Sequence, residues 1–133
     1  MKPDPLEEGR RWLAQAKDDI TVAEHLLQGG FHNYACFFAQ QAAEKALKAY
    51  LLAQGAREVR GHSVGDLCLD AARLDPAFEG LADEVTPLDK YYIPTRYPNG
   101  LPGGTPSRAF DRVDSERALG LARHAVAFVE ERL

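Results

Sequence analysis

The chain has 133 residues, a formal charge of −4 at pH 7 and 45% hydrophobic residues. That length supports one hydrophobic core, so a single domain over 1–133 carries the function, and the acidic balance excludes a generic DNA or RNA coat, which works by neutralising phosphates. Apolar runs fall far below the ~20 residues that cross a bilayer and no signal-peptide pattern opens the chain, so a cytoplasmic protein with no membrane association is expected.

Asp4-Pro5-Leu6-Glu7 has the form of a helix start, with an acceptor at the cap, proline at the first helical position and an acid three residues after the cap. Leu6, Leu13, Ile20 and Leu27 then recur at heptad spacing with Ala16 and Ala23 beside them, giving one apolar stripe until Gly29-Gly30 ends the helix. A second helix runs from about Asn33 to Gln54, stopped by Gly55, with a seam of Ala35, Ala39, Ala42, Ala46, Ala49 and Ala53. Small seam residues let another backbone come close, while Phe37, Phe38, Leu47, Tyr50 and Leu51 add bulk on adjoining faces, so this helix is placed at the centre.

Ser63-Val64-Gly65-Asp66 predicts a short capped helix with Val64, Leu67, Cys68, Ala71 and Leu74 on one face, and Asp75-Pro76 opens another through Phe78, Leu81, Ala82, Val85 and Leu88. From Tyr91 to Val113 prolines and glycines forbid a continuous helix, although Tyr91, Tyr92, Tyr97 and Phe110 offer anchors to the bundle. Asp114 is then read as the cap of a last helix, with Ala118, Leu121, Ala122, Ala125, Phe128 and Val129 inward. The fold expected is all-α: an antiparallel up-and-down four-helix bundle of about five helices, with a long Pro/Gly-rich loop before the last. Cys36 and Cys68 are read as core residues, not as a disulfide or zinc framework, and neither a metal nor a cofactor is expected.

Three groups of residues bear on chemistry. Gln40, Gln41, Glu44, Lys45 and Lys48 interrupt the second helix at spacings that put Gln41, Glu44, Lys45 and Lys48 on one face. Sequence favours a solvated face with a Glu44–Lys48 helix pair; the other reading is the lining of a groove or subunit contact. Arg96-Tyr97-Pro98 joins an arginine, whose planar fork suits phosphate, to a tyrosine able to stack on a base. The plain alternative has Tyr97 and Pro98 pinning the loop while Arg96 pairs with a helix carboxylate. His62 follows Arg57 and Arg60 and is able to act as acid or base, although local packing is the commoner role for such a histidine. No phosphate loop, nucleophile elbow, HExxH or paired-carboxylate motif defines a reaction.

The stretch from Tyr34 to Leu51, with its Gln-Gln-Ala-Ala-Glu-Lys-Ala core, resembles the second helix of the HEPN family. So do Ala16-Lys17-Asp18-Asp19 in the first helix, His62-Ser63-Val64-Gly65-Asp66-Leu67 after the second, and Arg96-Tyr97-Pro98 before the last, each in its own place in the family's order. The resemblance implies a helical-bundle subunit, commonly a homodimer, that partners a minimal nucleotidyltransferase and binds nucleotide or RNA. On this reading Arg96, Tyr97, Lys45, Lys48, Gln41 and Glu44 form the ligand site. The alternatives are a metal-independent ribonuclease toxin of a toxin-antitoxin pair, using Arg96 with His62, and a purely structural interaction bundle. Family nucleases carry arginine and then histidine near the start of the final helix; here the loose matches, Arg57 to His62 and Arg117 to His124, fall elsewhere, and Val64 and Val126 stand where such families place a target tyrosine. The Arg-Tyr-Pro branch of the family is the better match. The sharpest expectation from these residues is that Tyr91, Tyr92 and Tyr97 pack the loop down and leave Arg96 beside Lys45 or Lys48.

Overall fold

The computed structural model describes residues 4–133. Every regular element among them is helical. Helix α1 (Pro5–Gln28) begins where the Asp4 carboxylate accepts from the Glu7 amide at 3.1 Å. It ends at Gly29, and Gly30, with φ of 82°, takes the left-handed turn that reverses the chain. Helix α2 (His32–Ala53) therefore returns antiparallel along α1.

The alanine seam makes this pairing close. Ala35, Ala39, Ala42, Ala46 and Ala49 are 0–1% exposed, and Ala53 at the helix end is half-buried. Opposite them, a Cβ on Gly9 would stand 2.7 Å from both the Ala49 carbonyl oxygen and the Ala53 Cβ. Only glycine lets the backbones meet there. Since Gly9 already faces the last residue of α2, Leu6 one turn earlier overhangs the core and stays 37% exposed, against its place in the expected stripe, whereas Leu13, Ala16, Ala23 and Leu27 are buried.

Helix α3 (Val64–Ala72) packs on α2, and α4 (Phe78–Val85) packs on α3 and on the last helix. Ser63 caps α3 as its sequence implies, accepting from Asp66 at 3.0 Å. The same end is gripped from the 3-10 turn Thr86–Tyr91: Asp89 accepts from Ser63 Oγ at 2.7 Å and from the amides of Val64 and Gly65. Leu74 lies beyond α3 and is 59% exposed, so it does not join the inward face. Leu88, expected on α4, is fully buried from the 3-10 turn that extends it.

The Pro/Gly-rich segment is more ordered than its composition implies, with a 3-10 turn at Pro98–Gly100 and a one-turn helix, α5 (Pro106–Ala109). The last helix, α6 (Arg112–Glu130), starts earlier than expected: Asp111 is the cap and Asp114 the third residue, each side chain accepting from the other's amide at 3.1 and 3.0 Å. Two aspartates three apart compete for the cap, and the reciprocal box requires the first to take it. Ala118, Ala122, Ala125 and Val129 face inward as expected, joined by Leu119 and Val126, while Leu121 and Phe128 are half-buried.

The fold is thus an all-α helical bundle in which α1, α2 and α6 are the long members and α3 with α4 completes the packing. Aromatic contacts bind one end of it, with Tyr50 and Phe128 lying 4.5 and 4.9 Å from Phe78 between ring centroids. Both cysteines are free and buried, and burial pushes each thiol up to about 12, as core residues rather than reactive ones.

Two glycine substitutions separate close packing from helix propensity. Gly9→Ala is expected to cost about 1–3 kcal/mol by forcing α1 from α2. Gly120→Ala in α6, where a Cβ meets nothing, is expected to add about 0.5–1 kcal/mol. Urea unfolding measures both, and equal effects would refute the close-approach argument.

Candidate functional site

Because α2 is covered on several sides, its polar residues do not form a solvated face. Gln40 is 0%, Glu44 4% and Lys48 7% exposed. The expected Glu44–Lys48 pair is present at 3.0 Å, but inside the protein. Glu44 also accepts from Gln40 Nε2 at 3.2 Å and faces His62 Nδ1 at 3.2 Å, while Gln41 donates to Gln40 Oε1 at 2.8 Å. Gln40 further donates to the His62 backbone carbonyl at 2.9 Å, so α2 holds both the main chain and the ring of that residue. A buried carboxylate is tolerated only with such partners.

Lys45 turns the other way. Its ammonium meets Asp19 of α1 at 2.6 Å, and Gln15 donates to the same carboxylate at 3.1 Å. The Ala-Lys-Asp-Asp run thereby contributes a buried aspartate, 3% exposed, that ties α1 to α2.

The loop is fastened to the start of α2 from within: Asn33 Nδ2 donates to the Thr95 carbonyl at 3.0 Å, and Thr95 Oγ donates to the Tyr91 carbonyl at 2.6 Å. Arg96 follows this anchor. Its Nε donates to the Tyr92 carbonyl at 2.9 Å, and its guanidinium carbon lies 4.2, 4.7 and 5.0 Å from the ring centroids of Phe37, Tyr92 and Tyr97. No carboxylate pairs with Arg96 among the described residues. His62 stacks on Tyr92 at 4.5 Å with 17° between planes, so the histidine and the arginine share one tyrosine.

The neighbours of Arg96 are therefore aromatic, and the basic cluster with Lys45 or Lys48 is not what the chain builds: both ammoniums are neutralised by buried carboxylates. Phe37 is the α2 residue that reaches Arg96, and the eight to eleven helical residues between Phe37 and the lysines amount to roughly 12–17 Å. Tyr91 is buried, as a loop anchor should be, and Tyr92 is half-buried; Tyr97 is 50% exposed and does not pin the loop, because Thr95 does. His62 is brought to the site although it is 34 positions from Arg96 in sequence. The Arg117 to His124 match lies along α6, where His124 pairs with Glu84 of α4 instead of with these groups. Tyr92, Phe37, Asn33 and Thr95 were visible only as loop anchors, helix bulk or ordinary polar residues; no spacing marks them as partners of Arg96.

The arrangement has two chemical capacities. An arginine held flat among rings offers a stacking surface and free donors to an anion. A histidine oriented by a buried carboxylate has one ring nitrogen engaged and the other available. The network also makes a stability prediction: Lys48→Ala leaves Glu44 buried without its cation and is expected to cost about 3–5 kcal/mol, while Arg60→Ala, which breaks an exposed pair with Glu58, should change unfolding in urea by less than about 0.5 kcal/mol.

Comparison with known proteins matches this architecture. The TT1696 protein of Thermus thermophilus superposes with a TM-score of 0.89 at 45% identity, covering 95% of this chain and 98% of that one. ST0689, an archaeal HEPN homologue, gives 0.77 at 33% identity over 99% and 98% of the two chains. A HEPN domain protein of Thermotoga maritima gives 0.70 at 34% identity over 91% and 95%. Human sacsin is 32% identical over 120 residues, which are 84% of this chain and only 2% of sacsin's length. No described helix is long and apolar enough to cross a membrane. The HEPN domain model matches residues 10–132, and the chain belongs to the HEPN domain family.

Proposed function

We propose that the chain is a HEPN-type binding module, working as a homodimer with a minimal nucleotidyltransferase and taking a nucleotide or RNA segment at Arg96 and Tyr92. The observation that carries the ligand reading is Arg96 itself. Its guanidinium is positioned by three rings and by its own Nε bond, and its terminal nitrogens make no hydrogen bond or ion pair among the described residues. In a protein of net charge −4, that is a local donor set suited to one phosphate, with the exposed ring of Tyr97 beside it for a base. Gln41, Glu44, Lys45 and Lys48 support the site from α2 through their ties to His62 and α1 and do not themselves meet Arg96. Phe31, Tyr34, Ile93 and Tyr97 are large, apolar and exposed, as side chains that a protein partner or second copy covers would be.

Calorimetry with ATP and a short ribo-oligonucleotide tests the ligand, and light scattering of the chain alone and mixed with an adjacent-gene nucleotidyltransferase tests the assembly. Arg96→Lys keeps the charge but loses the planar fork, and is expected to weaken binding about ten-fold while leaving the unfolding midpoint nearly unchanged. A monomer near 14.7 kDa with no complex and no heat of binding would refute the proposal.

A second reading, a metal-independent endoribonuclease, is favoured by the Glu44–His62 contact at 3.2 Å beside the ring that also carries Arg96. In it Glu44 fixes the imidazole and the free ring nitrogen takes the proton of a ribose 2′-hydroxyl, whose oxygen attacks phosphorus to give a 2′,3′-cyclic phosphate as the P–O5′ bond breaks; the imidazolium returns the proton to the leaving 5′-oxygen, and Arg96 stabilises charge on the phosphorus oxygens. Cleavage of a ribo-oligonucleotide in excess chelator, lost in His62→Ala and in Arg96→Ala, is its expected result; RNA left intact at high protein concentration rejects it.

A further inference from the structure

Away from Arg96, a cavity of about 590 Å³ opens between the first turns of α1, the end of α2 and the segment after it. Its volume falls in the range of small-ligand sites. Trp12, Leu52 and Val59 supply apolar wall, and Lys48 and Arg57 supply positive charge. Two acids also line it, but both are engaged. Glu8 accepts from the Trp12 indole at 3.2 Å and pairs with Arg11 at 2.9 Å, and Glu58 pairs with Arg60 at 3.1 Å.

The cations are less committed. Lys48, with a side chain 9% exposed, uses one of its three donors on Glu44, and Arg57 is exposed and makes no ion pair among the described residues. The free side-chain donors in the cavity are therefore cationic while its walls are largely apolar. We propose that it is a second ligand site for a small amphipathic carboxylate, with the apolar body against Trp12, Leu52 and Val59 and the carboxylate drawn to Lys48, helped by Arg57. Nothing in this rests on the Arg96 surface binding nucleotide.

Lys48 also connects the two regions. The same ammonium neutralises Glu44, and Glu44 holds His62, which stacks on Tyr92. A carboxylate that shares Lys48 draws the ammonium away from Glu44, so occupancy of the cavity and the position of the Glu44–His62 contact are coupled.

Trp12 is the single tryptophan and lines the cavity, so its fluorescence reports occupancy directly. The probes are 3-phenylpropionate and 3-phenylpropanamide, which share shape and differ in charge. The acid is expected to change Trp12 emission saturably and to bind about ten-fold more tightly than the amide, the size of one charge-assisted hydrogen bond. Lys48→Met should erase that difference. Since this variant also disturbs Glu44, Ala56→Phe provides an independent arm: it fills the cavity from the exposed segment while keeping both members of the Glu44–Lys48 pair, and should abolish binding of both probes. Equal affinity for acid and amide, no emission change at millimolar probe, or undiminished binding in Ala56→Phe would each overturn the proposal.

Discussion

Close packing of α2 against its neighbours is the constraint from which the rest of the structure follows. A seam of alanines and the missing Cβ of Gly9 let α1 approach until backbone meets backbone, while α6 and α3 cover other faces. Dense packing of small side chains gains stability through many dispersion contacts and excluded water. It also removes water from Asn33, Gln40, Glu44 and Lys48 on the same helix.

That loss of water explains the network around Glu44. Glutamine, glutamate and lysine at consecutive helical turns would ordinarily line a solvated face, but here Gln40, Glu44 and Lys48 are covered and Gln41 and Lys45 are half-buried. Desolvated charge is tolerated only when paired and hydrogen-bonded, and the chain answers with Glu44–Lys48 on one helix, Lys45–Asp19 between helices, and two glutamines filling the remaining positions. Such networks add little net stability but resist any shift of one helix along another, since a slipped register would leave an ion unpaired. His62 is held as a by-product of this pairing, because its ring and carbonyl supply two of the partners.

The loop before α6 illustrates a complementary device. Its prolines stop helix formation, and a buried threonine, whose carbonyl accepts from the Asn33 side chain of α2, fixes the chain one residue before Arg96. The arginine then needs no carboxylate to hold it, because its Nε is bonded locally and its flat face rests on rings. A cation without a carboxylate partner among the described residues thus survives in fixed geometry on an acidic protein, and fold similarity alone would not reveal it, since function resides in such sites and not in the bundle that carries them.

Local sequence determined what local physics controls. Heptad spacing, alanine seam, the Asp4 and Ser63 caps and the Gly29-Gly30 turn define α1, α2 and α3 to within a residue or two, and the proline-glycine content marks the irregular segment. The start of α6 was less legible, as Asp111 and Asp114 are both good caps and only their reciprocal bonding selects the first. Tertiary structure alone decided that the polar residues of α2 lie inside, that Lys45 and Lys48 belong to carboxylates, and that His62 and Arg96 meet on Tyr92. The physical reason is that helical periodicity assigns side chains to a face but carries no information on what covers that face. Burial, and with it the strength of every charge, arises only when distant segments close over it.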